Sequence, residues 1–115
     1  MLVINSWASW SPQSQIELLT LQKLAVEFKD KPVVFLAINR KELKEQATRF
    51  MTTLPEVSNV VILIDTTDHF YGAVGGYAMP ETVVYQSDGL VKEHIRGEFK
   101  EEELRTSLHK LLDAE

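Results

Sequence analysis

Six consecutive apolar residues, Val33-Val34-Phe35-Leu36-Ala37-Ile38, stand between two stretches in which apolar residues recur at helical spacing. A strand without polar alternation has the pattern of one buried on both faces of a parallel sheet. Parallel strands cannot be joined by a tight hairpin, so the chain must reach such a strand by a crossover, usually a helix. Leu2-Val3-Ile4 supplies the preceding strand, and Leu21, Leu24, Ala25 and Phe28 supply the helix, which Lys31-Pro32 breaks. Together these pieces predict a βαβ unit.

The same reading continues along the chain. Leu43, Ala47, Phe50, Met51 and Leu54 share one helical face that ends near Pro55. Val60 to Ile64 is another apolar run, and Asp65-Thr66-Thr67 are good capping residues for a short helix through His69, Phe70 and Tyr71, closed by Gly72, Gly75 and Gly76. Thr82 to Tyr85 and Leu90 to Arg96, joined by Ser87-Asp88-Gly89, predict a hairpin. Leu104, Leu108, Leu111 and Leu112 predict a closing amphipathic helix, with Glu98, Glu101, Glu102 and Glu103 solvated around its first turn. The fold class is therefore α/β, with a mixed central sheet whose parallel βαβ half joins an antiparallel hairpin half, and helices on both faces. No repeat, low-complexity tract or linker divides residues 1–115, so one domain is expected.

Composition narrows the chemistry. Of 115 residues none is cysteine, which removes thiolate reactions, disulfides and thiolate-bound metals for these atoms. A net charge of -5, with basic residues scattered among acids, argues against a nucleic-acid partner. The apolar runs fall far short of the roughly 20 residues that span a bilayer.

Trp7-Ala8-Ser9-Trp10 leads into Ser11-Pro12-Gln13-Ser14, where Ser11 suits an N-cap and Pro12 the first helical position. Two hydroxyls three residues apart are an odd fitting for a strand-to-helix turn; two thiols would not be. This stretch resembles the W-A-x-W-C-x-x-C signature of thioredoxin-like thiol-disulfide oxidoreductases of the bacterial TlpA/ResA type. Glu17 matches the active-site glutamate of that group, Val34 to Asn39 its vvflaiN strand, Gly76-Tyr77-Ala78-Met79-Pro80 its G-x-x-x-P loop, and Asp88-Gly89 its hairpin. The likeness runs over essentially the whole chain, with the family's N-terminal hairpin missing.

The resemblance implies the thioredoxin fold and, for the parent chemistry, thiol-disulfide exchange on protein or peptide partners outside the cytoplasm, in the periplasm or at a membrane. It implies a monomer with neither cofactor nor metal. Met1 to Ile4 already read as strand and carry no signal-peptide pattern, so a family-type leader or anchor is expected only upstream of Met1. The cysteine positions are Ser11 and Ser14, with Glu17 assisting proton movement; Trp10, Pro12, Gln13, Met79 and Pro80 line the substrate groove, and the Met79–Pro80 bond is expected to be cis. The departure falls on the chemistry, since a serine hydroxyl stays protonated without a strong base and forms no persistent equivalent of a disulfide. A domain of this kind is redox-inactive as written. Two histories fit: an engineered replacement of Cys-Pro-Gln-Cys, which the paired change to one near-isostere favours, or natural loss.

Each site residue also has a plainer reading. Ser11 and Ser14 serve as cap and first-turn residues, Glu17 as a solvated helix acid, Trp7 as core, and Asp65, Asp68 and His69 as capping residues rather than a metal site. A serine hydrolase would need a base beside Ser11, and the topology places none of His69, His94 and His109 there. A peroxidase of the related peroxiredoxin type fails for want of its cysteine. The competing function is a non-catalytic peptide- or protein-binding module that uses the groove beside the proline loop, where main-chain pairing needs no thiol.

Overall fold

The computed structural model describes residues 1–115. Its elements run β1 (Leu2–Trp7), α1 (Pro12–Glu27), β2 (Val34–Arg40), α2 (Lys44–Met51), β3 (Val61–Asp65), α3 (His69–Ala73), β4 (Glu81–Tyr85), β5 (Val91–Arg96) and α4 (Glu101–Asp113), in the predicted order. The five strands form one sheet in the order β3-β2-β1-β4-β5. β1, β2 and β3 are parallel, whereas β4 runs antiparallel to β1 and to β5. This is the mixed sheet flanked by helices that the patterning predicts.

Strand register sorts the side chains onto two faces. Val3, Trp7, Phe35, Ala37 and Val84 point to one of them and pack in a single cluster with Leu18, Leu21, Leu24, Ala47, Leu104 and Leu108. Three helices, α1, α2 and α4, therefore cover that face, with Phe50 of α2 stacked 5.5 Å from Trp7 and His109 of α4 4.7 Å from Phe28. Ion pairs from Arg105 to Glu27 and from Lys23 to Glu101 fasten α4 to α1. Two successive right-handed crossovers stepping the same way along the sheet put their helices on the same side.

The opposite face carries Leu2, Ile4, Val34, Leu36, Ile38, Val61, Leu63 and Val83, as the register pairs Leu2 with Val34, Ile4 with Val83, Leu36 with Val61 and Ile38 with Leu63. Only the short α3 and its flanking loop lie over it, anchored where Arg40 stacks on the Tyr71 ring and pairs with Asp68 at 2.7 Å. This corrects the expectation that β2 is buried on both faces: Val34 is 46% exposed, while Phe35, Ala37 and Asn39 are buried. An unbroken apolar run records that both faces tolerate apolar residues, and says nothing of how much each is covered.

Candidate functional site

The box opens α1 at the C-terminal end of β1. Ser11 is the N-cap residue and Pro12 the first helical residue, but the Ser11 hydroxyl makes no capping bond, which corrects the expected cap role. Ser14 has a different role: its Oγ accepts the Ala8 N–H at 3.1 Å and ties the strand end to the helix's first turn. Both serines are buried, while Pro12 is exposed and Trp10 stands 63% exposed beside them. No histidine reaches Ser11: His69 opens α3, His94 lies against Glu81 and His109 packs on Phe28. Activation of the Ser11 hydroxyl by a neighbouring base has no support in this geometry.

Glu17 is only 2% exposed, so the solvated-acid reading does not hold. Its Oε1 accepts from Asn5 Nδ2 at 2.8 Å and its Oε2 from the Phe99 N–H at 2.9 Å. Burial outweighs both bonds and, helped by the charge of Glu98, pushes the carboxyl up to about 7. Asn5 Nδ2 also donates to Thr82 Oγ1 at 3.0 Å, and its Oδ1 has no partner.

The second wall is the loop before β4. Ser6 pairs with Glu81 in the antiparallel ladder, so continuing that register brings Trp7 and Ala8 level with Pro80 and Met79, next to the box. The Met79–Pro80 bond is cis. Around Met79 the main chain is already committed. The Tyr77 and Ala78 N–H groups donate to Glu81 Oε2 at 2.6 and 2.8 Å, Tyr71 Oη donates to the Ala78 carbonyl at 2.6 Å, and the Gly97 N–H donates to the Pro80 carbonyl at 2.9 Å. Met79 itself makes no backbone hydrogen bond, which leaves its N–H and C=O free. Gly76 makes the Tyr71 contact possible, because a Cβ there would sit 2.5 Å from Tyr71 Cε1.

Two buried acids that the sequence reading passed over hold these walls. Glu42, just past β2, accepts the Ser9 N–H at 2.7 Å, the Ser9 hydroxyl and Asn39 Nδ2 at 2.8 Å, and so fixes the turn that carries Trp10. Burial pushes its carboxyl up, yet the Ser9 and Asn39 bonds prevail and hold it below the usual carboxylate range. The outer side of this turn opens on a cleft of about 330 Å³ lined by Ser9, Gln46, Arg49, Phe50 and Thr53. Glu81 plays the matching part under Tyr77 and Ala78. Neither acid belongs to an apolar period, so only its position in three dimensions reveals it.

The remaining acids near the sheet's end are spent locally. Asp65 Oδ2 accepts the Phe70 N–H at 2.8 Å, as a helix-start acid does, and Asp68 pairs with Arg40. Asp65, Asp68 and His69 thus act in the turn and in an ion pair.

A buried carboxylate beneath a helix-start box, faced by a cis-proline loop on a mixed sheet, defines a thioredoxin-like domain. The Redoxin family profile matches residues 1–112, and the chain belongs to that family. It is 28% identical over 112 residues to thiol-disulfide oxidoreductase ResA of Geobacillus thermodenitrificans (strain NG80-2), a match covering 94% of this chain and 61% of that protein. The chain thus spans about three fifths of the length of this relative. A Chlorobium tepidum structure assigned as thiol:disulfide interchange protein DsbE superposes with a TM-score of 0.89 at 18% identity, over 96% of this chain and 79% of that one. A secreted Mycobacterium tuberculosis disulfide oxidoreductase homologous to E. coli DsbE superposes with a TM-score of 0.79 at 19% identity, over 96% and 81%. These findings bear out the TlpA/ResA-type resemblance and the fold.

Proposed function

We propose that this chain is one thioredoxin-like domain whose Ser11-Pro12-Gln13-Ser14 stands where its family carries two cysteines, and that in this form it binds an extended peptide without exchanging disulfides. The observation that carries the reading is Met79: its N–H and C=O are unpaired on a loop whose neighbouring main-chain groups are tied down, and the strand register sets it level with Ala8, two residues before the exposed Trp10. Strand addition to such a residue draws its affinity from main-chain bonds, and an exposed indole adds apolar contact area. In the parent chemistry a thiolate at position 11 gains from the free N–H groups and dipole at the start of α1, and position 14 supplies the resolving thiol. Trp10, Pro12, Gln13, Met79 and Pro80 then form the substrate groove, with Glu17 in the proton path. The likeness to a secreted oxidoreductase supports placing the protein outside the cytoplasm, with protein or peptide partners.

The test is to restore the thiols. Ser11→Cys with Ser14→Cys should reduce insulin disulfides, with a reduction potential between about -270 and -120 mV, whereas the serine protein shows no turnover. A double-cysteine protein that closes its internal disulfide yet turns over no protein disulfide overturns the oxidoreductase reading. The binding reading is checked separately: the serine protein should retain non-covalent partners that a bulky Met79→Trp releases. Retention unchanged by that substitution removes it.

A further inference from the structure

Glu81 is the first residue of β4, buried, and no part of the box, the acid under it or the proline. Its two oxygens have separate duties. Oε2 accepts both the Tyr77 and Ala78 N–H groups. Oε1 lies 2.6 Å from His94 Nε2 and 3.6 Å from Arg96 Nε, both on β5. A carboxylate only accepts, so the imidazole nitrogen is the donor here. Arg96 also stacks over the Tyr77 ring at 4.7 Å and reaches the Gly75 carbonyl at 3.4 Å. One side chain therefore bolts the loop, through two amides, to the β4–β5 hairpin.

We propose that Glu81 is the positioning residue of the groove: by drawing the Tyr77 and Ala78 amides inward it turns the free N–H and C=O of Met79 outward as the docking edge for an extended peptide. This rests on the groove reading of Proposed function. Two consecutive N–H groups aimed at one point form a small anion nest, which a loop without a fixed anion has no reason to hold. Bonds to a charged acceptor are among the strong ones, so their loss frees the loop rather than adjusting it. Burial pushes the Glu81 carboxyl up, but the Ala78 and Tyr77 amides and the His94 ring together hold it below the ordinary range, so it keeps the charge the nest needs.

The first measurement is amide hydrogen exchange by NMR on the serine protein. Glu81→Ala should speed exchange at Tyr77 and Ala78 about tenfold or more while Val83 and Val84 change less than about twofold. Glu81→Gln retains one carbonyl acceptor and should give an intermediate increase; it carries the test if the alanine protein does not fold. Unchanged exchange at Tyr77 and Ala78 in a folded variant overturns the clamp. The second measurement uses the Ser11→Cys, Ser14→Cys protein, where Glu81→Gln should raise the KM for insulin severalfold with kcat within about twofold, as expected for loss of a binding edge. A fall in kcat with KM unchanged makes Glu81 something other than a positioning residue. No turnover before Glu81 is altered removes the groove reading itself, and the two failures are thereby told apart.

Discussion

The Phe99 N–H donates to Glu17 Oε2 at 2.9 Å, joining residues 82 positions apart. One buried carboxylate thus ties the first turns of α1 to the segment that leads into α4, while its other oxygen holds Asn5 in the middle of β1. The acid beneath the box is a structural junction as well as a titrating group, and the two roles conflict. Ionisation strengthens both bonds and at the same time leaves a charge where water does not reach.

That conflict sets a pH dependence. The Glu17 carboxyl titrates near 4.5 in the unfolded chain and near 7 in the native one. Between those values the native state holds a proton that the unfolded chain has released, so stability falls as pH rises across this window and stays lower above it. The loss is of order 3–4 kcal/mol. Glu42 and Glu81 are shifted the other way, and their contributions disappear only at acid pH, outside the window. Glu17→Gln should flatten the slope, since a glutamine can keep the Phe99 bond through its carbonyl and donate to a rotated Asn5 amide whose Oδ1 now lacks a partner. Urea unfolding of both proteins at pH 5 and pH 8 reads the difference; parallel curves would show that Glu17 is not the titrating group.

Gly76 offers a test of the loop from its other side. A Cβ there collides with the Tyr71 ring, whose hydroxyl holds the Ala78 carbonyl. Gly76→Ala should cost about 1–3 kcal/mol, in the range of overpacked sites. Tyr71→Phe, which removes the hydroxyl and spares the ring, should cost about 1 kcal/mol. Thermal unfolding of the two variants ranks them. A Gly76→Ala protein as stable as the parent would mean that Tyr71 swings away freely and does not brace the loop.

How much of this was legible in advance divides along the range of the interactions. The order of elements, the hairpin at Ser87-Asp88-Gly89 and the α1 face of Leu21, Leu24 and Ala25 follow from local period and turn chemistry, and the structure keeps them. Glu17 and Met79-Pro80 were found only through the likeness of their surroundings to a family pattern. Glu42 and Glu81 were not found, since a single acid in a polar stretch carries no period, and its burial depends on strands and turns that meet from distant parts of the chain. The expected Ser11 cap failed for a local reason: the Ser14 N–H, one of the donors a Ser11 hydroxyl would take, donates to the Ser11 carbonyl at 3.0 Å instead.

The unequal covering of the sheet is the last point where reading and structure differ, and it is measurable. Phe35 lies on the three-helix face, buried against Phe28 at 6.3 Å between ring centres, whereas Leu63 on the edge strand β3 points to the thinly covered face and is 46% exposed. Truncating an enclosed aromatic leaves a cavity, so Phe35→Ala should cost about 3–5 kcal/mol. Leu63→Lys replaces a side chain already half in water and places a charge on an open sheet edge, where charges are well tolerated, so it should change stability by less than about 1 kcal/mol. Chemical unfolding of the two variants gives the ratio directly. Comparable losses would mean that Leu63 is enclosed in solution and that the face carrying Leu2, Val34 and Val61 is covered as fully as its opposite.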